Sequence, residues 1–402
     1  MLQALTTTGK LVIPAILSRH KMQYLRKNGP YYCPECRMKV IFRAGTKVIP
    51  HFAHQQSLNC SKNGGESLYH MKGKLQIYQW LRSQYKHVYL EAFLPKIKQR
   101  PDILLKIAHR TIAVEMQCSV IDPKIIQERN QGYQNMGITP IWLLGANVFK
   151  RIGKQKIKVN SFMMETLQKF SAHTSTQLLY YCPETHKFFK ANDLHLTTNQ
   201  YAITQLIYYK THQITFPQLL LNENIDKQDL FSAWLHEKKR FRLGYNKIYG
   251  RELKWRQWLY KKGFYIEQLP GVVHLPVATQ YLMKVPVWHW QSRFLLDFLH
   301  PLPIHGVFSL NEVNQFLRPF TKNIHISSLI KTQDSAGLDY LKLLIILGYV
   351  KELNPNTFCK VREILFPSHI EQALQIDRKV LRKLLESEEQ ITSYNGNIQQ
   401  LH

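Results

Sequence analysis

Arg100-Pro101-Asp102-Ile103-Leu104-Leu105-Lys106-Ile107, followed after three residues by Thr111-Ile112-Ala113-Val114-Glu115-Met116-Gln117-Cys118, reads as two strands of one hairpin. Ile103, Leu105 and Ile107 alternate along the first strand, and Ile112, Val114 and Met116 along the second. That period of two is what a half-buried strand requires. The other face carries Asp102, Lys106, Glu115 and Gln117. A turn centred between Ala108 and His109 sets Asp102 directly opposite Glu115, where facing Cβ atoms lie ~4.5–5.5 Å apart. Two carboxylates that close repel unless a cation or a shared proton compensates. A hard divalent ion, Mg2+ or Mn2+, is the natural compensation. A slip of one residue in register would instead leave the acids on an exposed strand face where they never meet.

The flanking segments give the hairpin a setting. A helix is expected from about Glu66 to Ser83, with Glu66, His70 and Lys74 at i, i+4 and i+8 on one face and Leu68, Met71, Leu75 and Tyr78 as an apolar stripe. A strand is expected at Val88–Leu94. After the hairpin, Asp122-Pro123 offers an N-cap and a first-turn proline, and Gly137 a stop, for a second helix. That helix carries Arg129 and Tyr133 at i, i+4, a spacing suited to holding a phosphate, or equally to a surface cation beside a half-buried ring. Ile138–Leu144 is a further strand. Helix, three strands, helix, strand is an α/β core.

Ahead of it, Tyr31-Tyr32-Cys33-Pro34-Glu35-Cys36 is followed by His51-Phe52-Ala53-His54 and then Cys60. A C-x2-C turn aims two sulfurs at one point. His54 and Cys60 would complete a tetrahedral Cys3His zinc site, with His51 as the rival ligand. Four protein ligands leave no open position, so such a site is structural and staples a segment too small to fold on its own core.

These stretches together resemble the competence protein CoiA family: Cys33-Pro34-Glu35-Cys36, His51-Phe52-Ala53-His54, Glu66-Ser67-Leu68-Tyr69-His70 with Lys74, Arg100-Pro101-Asp102-Ile103, Glu115-Met116-Gln117-Cys118-Ser119, Arg129 with Tyr133, and Ile141-Trp142-Leu143-Leu144-Gly145. Trp290-Gln291 resembles the family more weakly. The resemblance implies a PD-(D/E)XK nuclease-like core behind a small zinc-ribbon-like segment. It also implies a cytoplasmic role in natural transformation, where incoming single-stranded DNA is processed or handed to a RecA-type recombinase. In that pattern Asp102 and Glu115 hold the metal, with Glu66 as a further ligand and His70 positioning substrate or ligating metal. Arg100, Arg129 and Tyr133 fall on the DNA side. The lysine usual at E-x-K is Gln117 here, which orients water but carries no charge; Lys74, Lys106 and Arg100 are the nearby cations.

Composition agrees with a polyanionic partner. The 402 residues hold 54 Lys+Arg against 27 Asp+Glu, a net charge of +27, with a pI of about 9.8. Such a surface concentrates nucleic acid and binds it by releasing counterions. Six cysteines, three of them within residues 33–60, fit a reducing compartment with a local metal site rather than a disulfide framework. No apolar run approaches the ~18–20 residues of a membrane-spanning helix, and the N-terminus has no secretory signal. The expected divisions are a zinc-binding segment at 1–65, the nuclease-like domain at 66–159, a basic, aromatic-rich region at 160–285 and a mostly helical region at 286–402. Residues 228–262 interleave cations with Phe231, Trp234, Phe241, Tyr245, Tyr249, Trp255, Trp258 and Tyr260. They suit either single-strand stacking or a helix pair whose rings are core. Ser309 with Glu312 makes a capping box in the last region, whose helices suit a winged-helix-like or recombinase-docking module. The functional expectation is a Mg2+- or Mn2+-dependent DNase. Its rivals are a catalytically inactive DNA-binding mediator and a defence or restriction nuclease.

Overall fold

A computed structural model of the chain describes residues 1–45, 48–54, 66–171, 174–221, 227–244, 250–322, 329–330 and 335–399. The N-terminal segment is a small five-stranded sheet in the order β2-β1-β3-β4-β5, formed by β1 (Ala4–Leu5), β2 (Leu11–Val12), β3 (Tyr31–Tyr32), β4 (Lys39–Arg43) and β5 (His51–His54). One helix, α1 (Arg19–Lys27), closes it, with Leu25 packed among Val40, Phe52, Tyr31 and Cys33. That handful of side chains is a small core for a segment this size, which is where a metal staple has most to add.

The central domain opens with α2 (Leu68–Arg82) and continues through β6 (Val88–Leu90), β7 (Ile103–Ile107), β8 (Arg110–Gln117), α3 (Pro123–Asn135) and β9 (Ile138–Gly145). This is the helix, three strands, helix, strand order read from the sequence. Asp122 caps α3 by accepting from the Lys124 amide at 2.9 Å, and Gly137, at φ +66°, ends it. The hairpin register pairs Ile103 with Val114 and Ile107 with Arg110, so the turn sits between Ala108 and His109 as expected. Ile103, Leu105, Ile112, Val114 and Met116 face α2 and its Met71, Ile77 and Leu81. Leu68, expected in that apolar stripe, lies in the first turn and is exposed.

The sheet does not stop where the sequence suggested. β10 (Lys150–Arg151), β11 (Lys156–Lys158), α4 (Ser161–Glu165), β12 (Gln177–Cys182), β13 (Lys187–Thr198), β14 (Tyr201–Lys210) and α5 (Phe216–Leu220) follow. β12 pairs in parallel with β9, giving nine strands in the order β10-β11-β14-β13-β12-β9-β8-β7-β6. The break expected after residue 159 therefore lies inside one sheet, and the basic run 150–158 is its solvated edge.

The last part contains α6 (Lys227–Leu243), α7 (Gly250–Lys261), α8 (Val287–Arg293), β15 (Val307–Ser309), α9 (Leu310–Leu317), α10 (Ala336–Leu347), β16 (Val350–Asn354), β17 (Thr357–Lys360) and α11 (Ile370–Gln399). Helices dominate, but β15, β17 and β16 form a three-stranded sheet beside α9 and α10, an order of winged-helix type. Ser309 and Glu312 make the expected capping box on α9. The rings of 228–262 are mostly core. Trp234 and Trp255 are fully buried, donating to the His274 carbonyl and the Ser292 hydroxyl, and Trp258 lies under Arg293. Lys238 and Arg242 are buried too, both on Asp377 of α11. Packing thus takes the rings that single-strand stacking would have needed; Tyr260 alone of the described ones is 65% exposed, and Tyr245 and Tyr249 lie outside the described residues.

Candidate active site

Helix α2 and the hairpin meet over a cluster of buried charge. Ser67 caps α2 by accepting from the His70 amide at 3.1 Å, which fixes the first turn and sets His70 and Lys74 one above the other. Gly73, between them, faces Met116 of β8, whose thioether occupies the space a Cβ would need. The helix can therefore come close to the strand that carries Glu115.

Lys74 is completely buried and is the hub of the cluster. Its Nζ donates to both Glu66 carboxylate oxygens, at 2.9 and 2.8 Å, and to Glu91 Oε1 at 2.5 Å, and it lies 3.5 Å from Asp102 Oδ1. Burial pulls the lysine pKa down, but Glu91, Asp102 and Glu66 outweigh it and hold the ammonium well above its ordinary range. Asp102, one residue ahead of β7, accepts from the Met116 amide at 3.0 Å through Oδ2, which also lies 3.1 Å from His70 Nε2. Its own carbonyl accepts from the Glu91 amide at 2.9 Å.

Glu91 is a member of this cluster that the sequence reading missed. It sits at φ +48° immediately after β6, is almost wholly buried, and takes the Leu2 amide on Oε2 at 3.0 Å. Burial pushes its pKa up, and Lys74 overrides that to leave it below the usual carboxylate range. An acid inside the otherwise apolar run Leu90-Glu91-Ala92-Phe93-Leu94 was the available signal.

Glu115 is partnered separately. Its Oε1 accepts from Arg129 Nη2 and from the Tyr133 hydroxyl, both on α3. Arg129 Nη2 also reaches the Tyr133 hydroxyl at 2.9 Å and the Arg100 carbonyl at 3.3 Å. Burial and the adjacent Glu115 hold the Tyr133 phenol protonated far above its ordinary range. The i, i+4 pair on α3 therefore grips a carboxylate, from the side of the hairpin that α3 covers. Gln117 turns its amide to Ser119, donating to the carbonyl at 2.8 Å and the hydroxyl at 3.0 Å. Lys106 is exposed on the same strand face. Asp102 and Glu115 stand at facing positions of one hairpin, yet their carboxylates answer to different helices.

The Cys/His cluster adjoins this site. The ligand atoms of Cys33, Cys36 and His54 all lie within 4.8 Å of one another, the one such set of three or more His, Cys, Asp or Glu among the described residues. Cys36 Sγ is 3.3 Å from His54 Nε2. His51 is instead engaged by the Ile49 carbonyl at 2.8 Å, and Cys60 lies outside the described residues. Burial raises the Cys33 thiol pKa and lowers that of His54, the latter with help from Arg100. Arg100 is itself buried, with Nη1 3.8 Å from Glu35 of the Cys33–Cys36 turn, and its charge also acts on Glu91. It stands between the two clusters rather than in solvent.

Three family models match the chain in order: the N-terminal domain of competence protein CoiA over residues 15–63, its nuclease-like domain over 66–224 and its C-terminal domain over 230–374. Competence protein CoiA of Bacillus subtilis (strain 168) is 28% identical over 356 residues, which cover 85% of this chain and 92% of that one. No solved structure matches. Among the described residues no helix is long and apolar enough to cross a membrane.

Proposed function

The chain belongs to the competence protein CoiA family, and from that premise we propose that it is a Mg2+- or Mn2+-dependent nuclease of PD-(D/E)XK type that processes incoming single-stranded DNA in the cytoplasm during natural transformation. Family membership and the nuclease-like domain support a role in competence. The observation that carries the finer reading is the buried group of Glu66, Glu91 and Asp102 around Lys74, with His70 at its edge. Burying charge is expensive, and a scaffold gains little from three acids arranged around one buried lysine.

In this reading Asp102 and Glu115 hold the divalent ion, with Glu66 as a further ligand; hard carboxylate oxygens are the donors such an ion takes. The ion, when bound, polarises the scissile phosphate and lowers the pKa of its water. Lys74 supplies the positive charge that the E-x-K position, Gln117, does not. It offsets the mutual repulsion of the acids and holds Glu91 below the usual carboxylate range. His70 orients Asp102 through the 3.1 Å contact. Arg129 and Tyr133 hold Glu115 in place until substrate and ion compete for it.

A second reading rests on two specific observations. Glu115 is engaged by Arg129 and Tyr133, and Gln117 is turned to Ser119. A chain that kept the fold and lost the chemistry would bind DNA as a mediator for a RecA-type recombinase. Cleavage of labelled single- and double-stranded DNA with Mg2+ or Mn2+ separates the two, using Asp102→Ala and Glu115→Ala. The nuclease reading expects loss in both variants of at least about 100-fold, beyond the ~10–100-fold typical of an outer-sphere partner, with DNA binding retained. Tight binding without cleavage under any metal establishes the mediator.

We also propose that Cys33, Cys36 and His54 hold a structural zinc, with Cys60 as the fourth ligand. Thiolate and imidazole are the donors of closed zinc sites, and the three ligand atoms already converge. Purified protein then carries about one zinc per chain, and Cys33→Ser loses most of it together with part of the thermal stability. A metal-free chain of unchanged melting temperature would refute the site.

A further inference from the structure

A strongly one-sided charge lies outside the acid cluster. Residues 1–54 carry nine lysines and arginines against one acid, Glu35, and that acid faces Arg100. Helix α1, Arg-His-Lys-Met-Gln-Tyr-Leu-Arg-Lys, has no acid at all. Its cations Arg19, Lys21, Arg26 and Lys27 are exposed, and only Leu25 is buried. This sequence works against its own helix. Like charges at i, i+3 and i+4 repel, and cations in the first turn oppose the helix dipole. The basic helices α6 and α7 differ, because each carries an acid that pairs a cation on the same helix, Glu237 with Arg240 and Glu252 with Arg256.

Tyr24 stands in the middle of this face and is 67% exposed. Lys21 and Lys27 lie three residues to either side of it and His20 lies four before it, so all three share its surface on the helix. An exposed ring between cations three residues away matches what a single strand presents, a base to stack and phosphates beside it. The helix offers no apolar face to enter a lipid surface, since Met22 is only partly exposed and Leu25 is in the core.

The segment is also fixed beside the acid cluster. Glu35 in the Cys33–Cys36 turn approaches Arg100, two residues before Asp102, and the Leu2 amide and Gln3 side chain bond Glu91. A strand lying on α1 is therefore held by a body anchored to the strand end that carries Asp102. From the charge, the ring and this anchoring, we propose that α1 is a single-stranded DNA contact surface, with Tyr24 as its stacking platform and Lys21 and Lys27 on the flanking phosphates. It rests on the DNA reading above and adds to it where the strand is held.

The test uses the full chain and fluorescein-labelled oligo(dT), with affinity measured across salt concentrations. Tyr24→Ala should weaken binding by about 5- to 150-fold, the range of one base–aromatic stack, while Tyr24→Trp retains it. Lys21→Gln with Lys27→Gln should lower the salt slope by about 1–2, as expected for two lost phosphate contacts. These residues are exposed, so circular dichroism and melting should match the wild type. Unchanged affinity and slope in a wild type that binds oligo(dT) tightly would overturn the surface and leave the DNA reading intact. No binding by the wild type would overturn both. Tighter binding to oligo(rU) than to oligo(dT), or variants defective only on phosphatidylglycerol vesicles, would overturn the proposal in favour of RNA or a membrane.

Discussion

Asp102 and Glu115 face each other across one hairpin, equally buried at 3% exposure, and their carboxylates differ in the partners that hold them. Asp102 joins a group centred on the fully buried Lys74, with Glu91 nearly as buried and Glu66 and His70 at its partly exposed edge. Glu115 is gripped by Arg129, whose side chain is still 24% exposed, and by Tyr133. The first arrangement behaves as a unit, because no member can lose its charge without stranding the others. The second can exchange, because a partly exposed guanidinium has water or a phosphate as an alternative partner. One carboxylate is thus fixed by the fold and the other is held by a group that can leave. That asymmetry suits a site where one ligand is permanent and the other is completed by substrate.

The sharpest way to break this comparison is to remove the hub. Lys74→Met keeps the volume and leaves Glu66, Glu91 and Asp102 without their shared cation. Breaking a buried ion pair from one side costs about 3–5 kcal/mol, so chemical denaturation should show a loss of that order. Adding Glu91→Gln should restore part of it, since one of the stranded charges is gone. A Lys74→Met protein as stable as the wild type would mean that water reaches the cluster and that the two carboxylates are not differently wired.

The hairpin was legible because its pattern is local. Alternation along Ile103–Ile107 and Ile112–Met116 and a short turn fix the register, and the observed pairing keeps it. Asp122-Pro123 and Gly137 marked α3 for equally local reasons. What the sequence concealed depends on distant partners. β12 joins the sheet through a parallel pairing with β9, more than thirty residues earlier in the chain, which no periodicity within 160–210 announces. Trp234 and Trp255 are core because α11 and the segment around His274 and Ser292 close over α6 and α7. Glu91 belongs to no motif and is placed by a positive φ and a lysine seventeen residues away. Facing positions were readable for Asp102 and Glu115, but their side-chain partners were not, because His70, Lys74, Arg129 and Tyr133 come from α2 and α3; the Met116 amide that Asp102 accepts from belongs to the hairpin.

The exchangeable side gives a smaller effect. Arg129→Gln removes a charge-assisted hydrogen bond, ~1.5–3 kcal/mol when buried, and solvent at the guanidinium should reduce the cost to roughly half of that. If Glu115 must leave Arg129 to ligate the ion, the same substitution should lower the Mn2+ concentration that half-saturates cleavage several-fold, while Tyr133→Phe does so less. A midpoint that does not move would leave Glu115 as a structural partner of α3 and would break the asymmetry from its other side.

The smallest effect is the dependence of stability on acidity, and it tests the buried side alone. Lys74 holds the Glu91 pKa below its unfolded value of ~4.3. A carboxylate depressed in this way contributes its stability above the unfolded pKa, and that contribution is lost as pH falls through the folded one. Wild type and Glu91→Gln should therefore differ most in melting temperature near pH 6 and converge as the pH is lowered toward 3. Other depressed carboxylates, Asp377 and Asp193 among them, act equally on both proteins and cancel in the difference. A gap that widened on acidification would require Glu91 to be protonated in the folded state at neutral pH. The Lys74 cluster would then hold one proton more and one charge fewer than the ion-pair geometry implies.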